Sequence, residues 1–194
     1  MSPGHSPAGD SRFARVLVGG GVRSGKSAFA LSLARRLGSR RVFLATAEPL
    51  DVEMEHRVQR HRAERGDGFV TVEEPREVCR AIRDLGTIDV LVVDCLTLWL
   101  ANLLLAGAGE AEVLGRVDEL AAMLAGAPYH TVAVTNEVGM GVVPETALGR
   151  VFRDVCGRAH QRLARDASEI YFAALGVMLR LRPEPLGIAT DAVG

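Results

Sequence analysis

Gly20-Gly-Val-Arg-Ser-Gly-Lys-Ser27 follows the β-rich stretch Arg15-Val-Leu-Val-Gly and precedes the helix former Ala28-Phe-Ala-Leu-Ser-Leu-Ala-Arg-Arg-Leu37. The run fits G-x-x-x-x-G-K-[ST], a loop whose glycines let successive backbone amides converge on phosphate oxygens. Gly20, Gly21, Val22, Arg23, Ser24, Gly25, Lys26 and Ser27 are therefore the expected nucleotide cradle, and the helix that starts there adds partial positive charge. In such a loop Lys26 reaches the β- and γ-phosphates, and Ser27 offers its hydroxyl to Mg²⁺. Lys26 is the sole lysine in a chain that otherwise uses arginine, whose planar head would fit the loop poorly.

A carboxylate is expected across the sheet from that loop. Ile88-Asp-Val-Leu-Val-Val-Asp94 reads as a buried strand ending in an acid, so Asp94 is the second candidate metal residue. Asp89, at the opposite end of the strand, reads as a solvated turn residue. Strands are expected at 16–19, 41–45, 90–94, 131–135 and 169–174, with 171–181 forming a hairpin around Gly176. Helices are expected at 27–37, 52–65, 76–85, 96–106, 111–125 and 148–167. Near-continuous apolar strands alternating with helices imply an α/β fold, a doubly wound, mostly parallel sheet with an antiparallel strand near the C-terminus. Ligands of such sheets lie beyond the strands' carboxyl ends, where Gly20, Thr46, Asp94 and Asn136 fall.

Length bounds the domain count. With 194 residues, 48% of them hydrophobic, the chain suits one domain, read as 15–182 between a tail at 1–14 and another at 183–194. The balance of 23 basic and 24 acidic side chains gives no basic surface for nucleic acid. Cys79, Cys95 and Cys156 lack metal or redox spacing and point to a reducing cytoplasm. The first ten residues lack the basic start and apolar centre of a signal peptide. The apolar stretch 90–105 is broken by Asp94, Thr97 and Asn102 and is no membrane span. Trp99 and the leucines between 98 and 105 offer more apolar surface than one helix needs, which suggests a homo-oligomer.

The histidines separate by helical geometry. Met54, Val58 and His61 share a stripe with Arg65, while His56 points the other way. The arginines around His61 could embrace phosphates, or form a solvated face balanced by Glu53, Glu55 and Glu64. His130 and His160 read as structural, and the arginines at 150, 153, 158 and 162 as a mostly solvated helix face.

Several segments together resemble a known family. The phosphate loop, Ala45-Thr-Ala47, Glu53-Met-x-x-Arg-Val-x-x-His61-Arg, Asp94-Cys-Leu-Thr-Leu-Trp-Leu-x-Asn102-Leu-Leu, Thr135-Asn-Glu-Val-Gly-Met-Gly-Val-Val-Pro-Glu145 and Leu148-Gly-Arg-x-Phe-Arg-Asp-x-x-Gly-Arg158 resemble the bifunctional adenosylcobinamide kinase / adenosylcobinamide-phosphate guanylyltransferase of cobalamin biosynthesis. The resemblance implies a RecA-like P-loop fold and two reactions on a corrinoid. ATP or GTP phosphorylates the aminopropanol hydroxyl, and GMP then passes from GTP to that phosphate with release of pyrophosphate. It also implies a covalent guanylyl-histidine, which the motif match assigns to His61.

By position, Ala45, Thr46, Ala47, Arg62, Ala63, Glu64 and Arg65 are expected nucleotide contacts. Glu73 matches another, although a glutamate before a helix can equally cap it. Residues 136–145 read either as a ligand-covering loop or as an ordinary connection. The chain departs from the family pattern at Gly19, where threonine is common, at His160, where asparagine is usual, and at Ala173-Ala-Leu-Gly176. Two other readings fit the phosphate loop alone: a small-metabolite kinase without a covalent intermediate, and a nucleotide switch.

Overall fold

Alternating side chains decide which face of each strand is covered, and in this chain both faces are apolar. The computed structural model describes residues 12–48 and 66–183. Its strands are β1 (Arg15–Gly20), β2 (Arg41–Ala45), β3 (Val70–Glu73), β4 (Val90–Asp94), β5 (His130–Val134), β6 (Glu169–Ala174) and β7 (Val177–Arg182). The helices are α1 (Lys26–Leu37), α2 (Val78–Arg83), α3 (Leu96–Leu105), α4 (Glu110–Gly126) and α5 (Ala147–Asp166).

The strands form one sheet in the order β3-β2-β4-β5-β1-β6-β7. Every pairing is parallel except the final β6–β7 hairpin. Val16, Val18, Phe43, Val90, Val92, Val132 and Val134 turn to one face and bury against Ala30, Leu31, Leu33 and Ala34 of α1. Leu17, Val42, Leu44, Leu91, Val93 and Ala133 turn to the other face, under α2 to α5. The doubly wound sheet with an antiparallel edge is thus the observed architecture. Among the described residues, no helix is long and apolar enough to cross a membrane.

Four details differ from the sequence reading. Val70–Glu73 is a strand, parallel to β2, that the sequence analysis did not mark. It is a short edge strand with Val70 largely exposed, so it lacks the apolar run of its neighbours. Helix α2 starts at Val78 rather than 76, because Oε1 of Glu74 accepts the Arg76 and Glu77 amides, both at 2.9 Å. Glu74, one residue after Glu73, thus holds the turn that leads into the helix. Asp89 is more than a solvated turn residue: its carboxylate accepts from the Ser39 and Arg40 amides at 3.1 and 2.8 Å and pairs with the Arg40 guanidinium at 2.6 Å. That pairing holds its pKa well below the usual carboxylate range. Finally, α3 turns most of its apolar surface inside the chain, with Trp99 and Leu100 each 1% exposed, and leaves Leu105 outward at 64%.

Candidate nucleotide site

The phosphate loop is held by neighbouring segments of the sheet. Gly20 has φ +139°, and a Cβ there would lie 2.5 Å from the Ala173 carbonyl oxygen, so β6 leaves room only for glycine. The Gly20 carbonyl accepts the Glu137 N–H at 2.9 Å, which ties the loop to the segment after β5. Gly25, at φ +90°, turns the chain into α1. Lys26 is buried at 6% exposure, and its ammonium donates to the Gly21 carbonyl and to Ser24 Oγ. Its charge therefore sits within the curl of the loop. Ser27 is half-buried on the first turn, whereas Val22 and Arg23 stand exposed at the tip.

Asp94 ends β4, in register with Ala45 of β2 and Val134 of β5. It is half-buried, at the same end of the sheet as the phosphate loop, with β5 between β4 and β1. Burial pushes the Cys95 thiol up to about 11, which keeps it protonated and unreactive at neutral pH.

Thr46 is wholly buried. Its hydroxyl donates to the Cys95 carbonyl at 2.7 Å and accepts the Cys95 N–H at 2.9 Å, while its own N–H meets the Asp94 carbonyl at 3.2 Å. The Thr46 side chain thus joins two loops, and beside it Ala47 is half-buried. Asn102, from the apolar α3, completes the seam by donating to the carbonyls of Thr46 at 2.8 Å and Pro75 at 3.0 Å. Thr97, also on α3, accepts from Asn136 Nδ2 at 3.0 Å and lies 3.2 Å from Cys95 Sγ.

Sequence reasoning gave Asn102 and Thr97 no role. Two buried polar residues inside Leu96-Thr-Leu-Trp-Leu-Ala-Asn-Leu-Leu-Leu105 were the available signal, since buried polar groups need partners. Glu73 closes β3 on the same edge. Arg76 pairs there with Glu48 at 3.1 Å and accepts the Trp99 indole N–H on its carbonyl. His61 and the 62–65 stretch lie outside the described residues, as does His56.

The arginines of α5 are less idle than a solvated face. Arg158 pairs with Glu110 and Arg162 with Asp118 of α4, while Arg150 donates to the Pro144 and Glu145 carbonyls. Arg153 pairs with its neighbour Asp154 at 3.6 Å.

A P-loop on β1, an acidic strand end on β4 and β5 inserted between them define a P-loop nucleotide-handling enzyme. Solved structures agree on that fold. The RadB recombinase superposes with TM-score 0.53 at 15% identity, over 90% of this chain and 86% of its own. An ATPase of a bacterial type III secretion system gives 0.51 at 14% identity, over 84% of this chain and 51% of its own.

Closer relatives narrow the class. Residues 16–181 match the family described as cobinamide kinase / cobinamide phosphate guanyltransferase. The bifunctional adenosylcobalamin biosynthesis protein CobP of Pseudomonas aeruginosa is 39% identical over 173 residues, covering 89% of this chain and 99% of its own. The corresponding proteins named CobU are 34% identical in Escherichia coli and 37% in Salmonella typhimurium, each over 86% of this chain and 99% of the relative. The chain belongs to the cobinamide kinase / cobinamide phosphate guanyltransferase family.

Proposed function

We propose that this enzyme phosphorylates the aminopropanol hydroxyl of adenosylcobinamide and then transfers GMP from GTP to the resulting phosphate through a guanylyl-His61 intermediate. The observation that carries the reading is the buried Lys26 ammonium curled into the glycine loop that follows β1, with Asp94 at the same end of the sheet on β4, across β5, in a chain matched to the family along 16–181. Both steps displace an oxygen from a phosphorus, and both need charge on the leaving phosphates neutralised. Lys26 and the amides of 20–27 supply that neutralisation, while the α1 N-terminus adds its dipole.

In the second reaction an imidazole nitrogen of His61 forms a bond to the α-phosphorus as the bond to pyrophosphate breaks. The corrinoid phosphate oxygen then attacks the same phosphorus, the N–P bond breaks, and the imidazole is restored. Splitting one displacement in two lets a single nucleotide cradle serve both partners.

The chemistry of the donors suits Mg²⁺. A half-buried carboxylate and a half-buried hydroxyl, Asp94 and Ser27, are what a hard cation sharing its shell with phosphates and water takes from a protein. When bound, the ion would neutralise charge on the transferred phosphates. The segment after β5 is the proposed corrinoid cover. Met140 and Val142, exposed at 80% and 94%, are apolar side chains on the ligand edge and would meet a large ring system there.

The test is incubation with α-labelled GTP and an alkaline quench, since phosphoramidates are acid-labile. Wild type and His56→Ala should retain label on the denatured chain, and His61→Ala should retain none. Label persisting on His61→Ala, or absent from the wild type, would overturn the covalent scheme.

A further inference from the structure

Thr135 follows β5, and its hydroxyl lies 2.7 Å from Nε2 of His160 on α5. The other ring nitrogen, Nδ1, stands 3.7 Å from Oε2 of Glu137. Oε1 of that carboxylate accepts the Gly139 N–H at 2.6 Å, and the Glu137 N–H donates to the Gly20 carbonyl at 2.9 Å. One imidazole thus meets both residues that bracket Asn136, and through Glu137 it is linked to the first glycine of the phosphate loop.

Hydroxyl, imidazole and carboxylate in that order are the parts of a nucleophilic triad. Thr135, however, is 3% exposed, so its oxygen cannot meet a substrate. The arrangement suits the holding of a turn instead. We infer that His160 is a positioning residue for the kinase step, fixing the turn 136–139 against the phosphate loop through Thr135 and Glu137. The inference rests on the proposed phosphorylation reaction.

The tautomer follows from the partners. A carboxylate beside Nδ1 favours the proton there, which leaves Nε2 to accept the Thr135 hydroxyl. Burial lowers the ring's pKa below the ordinary histidine value in spite of Glu137, so the neutral ring is the working form at pH 7. Protonation fills Nε2 and removes the acceptor for Thr135.

The surrounding charges leave that balance to Glu137. Arg158 and Arg162 of α5 are directed to Glu110 and Asp118 of α4, and Arg153 to Asp154. The Cys156 thiol, one turn back on α5, is pushed up to about 12 by burial, and the Cys95 thiol ahead of α3 is raised as well. From β1, Val16, Leu17 and Val18 contribute apolar side chains to the core.

The full chain carrying His160→Leu, His160→Asn, and Glu137→Gln alone and with His160→Leu tests this. The readouts are kinase kcat and KM against pH with adenosylcobinamide, and amide exchange across 136–141. His160→Leu should lower kcat by about tenfold or more with little change in nucleotide KM, as displacement of a reacting group does, and should speed exchange. Asparagine combines a donor and an acceptor in one planar group, so His160→Asn should recover most of the rate and lose the wild type's acid limb. The double variant should be no slower than its worse parent.

Unchanged kcat and exchange in His160→Leu would overturn the inference, as would an acid limb that persists in His160→Asn or additive losses in the double variant. If the wild type phosphorylates no corrinoid, the proposed reaction fails. The exchange comparison then still decides whether His160 holds the turn.

Discussion

Lys26 shows how far one residue can be read from sequence and where that reading stops. The motif assigned it to phosphates, and its uniqueness among arginines marked a place where a compact ammonium matters. What sequence did not reveal is that the ammonium donates to its own loop, to the Gly21 carbonyl and Ser24 Oγ. Removing the ammonium should cost transition-state stabilisation more than fold. Lys26→Ala and Lys26→Arg are both expected to lower kcat/KM by about a hundredfold or more in each half-reaction, the scale of losing a preorganised electrostatic group. Urea midpoints should stay near the wild type, and steady-state kinetics with unfolding curves check both statements. Thr46 was legible only as a position on the ligand edge. That its hydroxyl is consumed by the Cys95 backbone depends on β2 and β4 being neighbours, which no local pattern specifies.

At the scale of elements, the legible parts were those whose physics is local. β1, β2, β4 and β5 are runs of β-branched and apolar residues, and each was expected within a residue of its observed ends. β3 escapes a reading of local pattern because an edge strand half in water need not be apolar, and α2 is shorter than expected because Glu74 holds the 76 and 77 amides in a turn before it. Helix α3 carries the less visible part of the site. Asn102 is 6% exposed and donates to carbonyls of two different loops, after β2 and after β3, so it sets the spacing between those ligand-edge segments. Asn102→Ala leaves both carbonyls short of a donor in a buried place, which should cost about 2–3 kcal/mol of stability. Asn102→Leu should do no better, since it adds apolar bulk between two unpaired oxygens. Equilibrium urea unfolding measures the cost, and a rise in nucleotide KM in whichever variant folds would place the seam in the binding site. Stability equal to the wild type in both variants would show that the two carbonyls find other partners.

For the whole molecule, strand-helix alternation was enough to predict a wound parallel sheet, yet the strand order needed long-range contacts. The insertion of β5 between β1 and β4 brings Thr135, Glu137 and His160 beside Gly20, and sequence spacing alone could not show it. Most of the apolar surface of α3, Leu105 apart, is consumed in the core. Apolar surface is exposed elsewhere. Val177 and Leu179 alternate along the edge strand β7 at 57% and 37% exposure, Leu181 beside the bulge at 48%, and Leu175 stands fully exposed at the hairpin tip. Among the described residues β7 pairs on one side with β6 and with no strand on the other, and an exposed apolar row on such an edge invites a second chain. We expect the wild type to assemble through this strand with further copies of itself. Leu179→Lys combined with Val177→Lys should then sediment as a single 20.7 kDa chain while keeping its circular dichroism, because neither side chain belongs to the buried clusters. Sedimentation velocity decides the matter: a wild type that runs as one chain, or a double variant that still assembles, would move the contact away from β7.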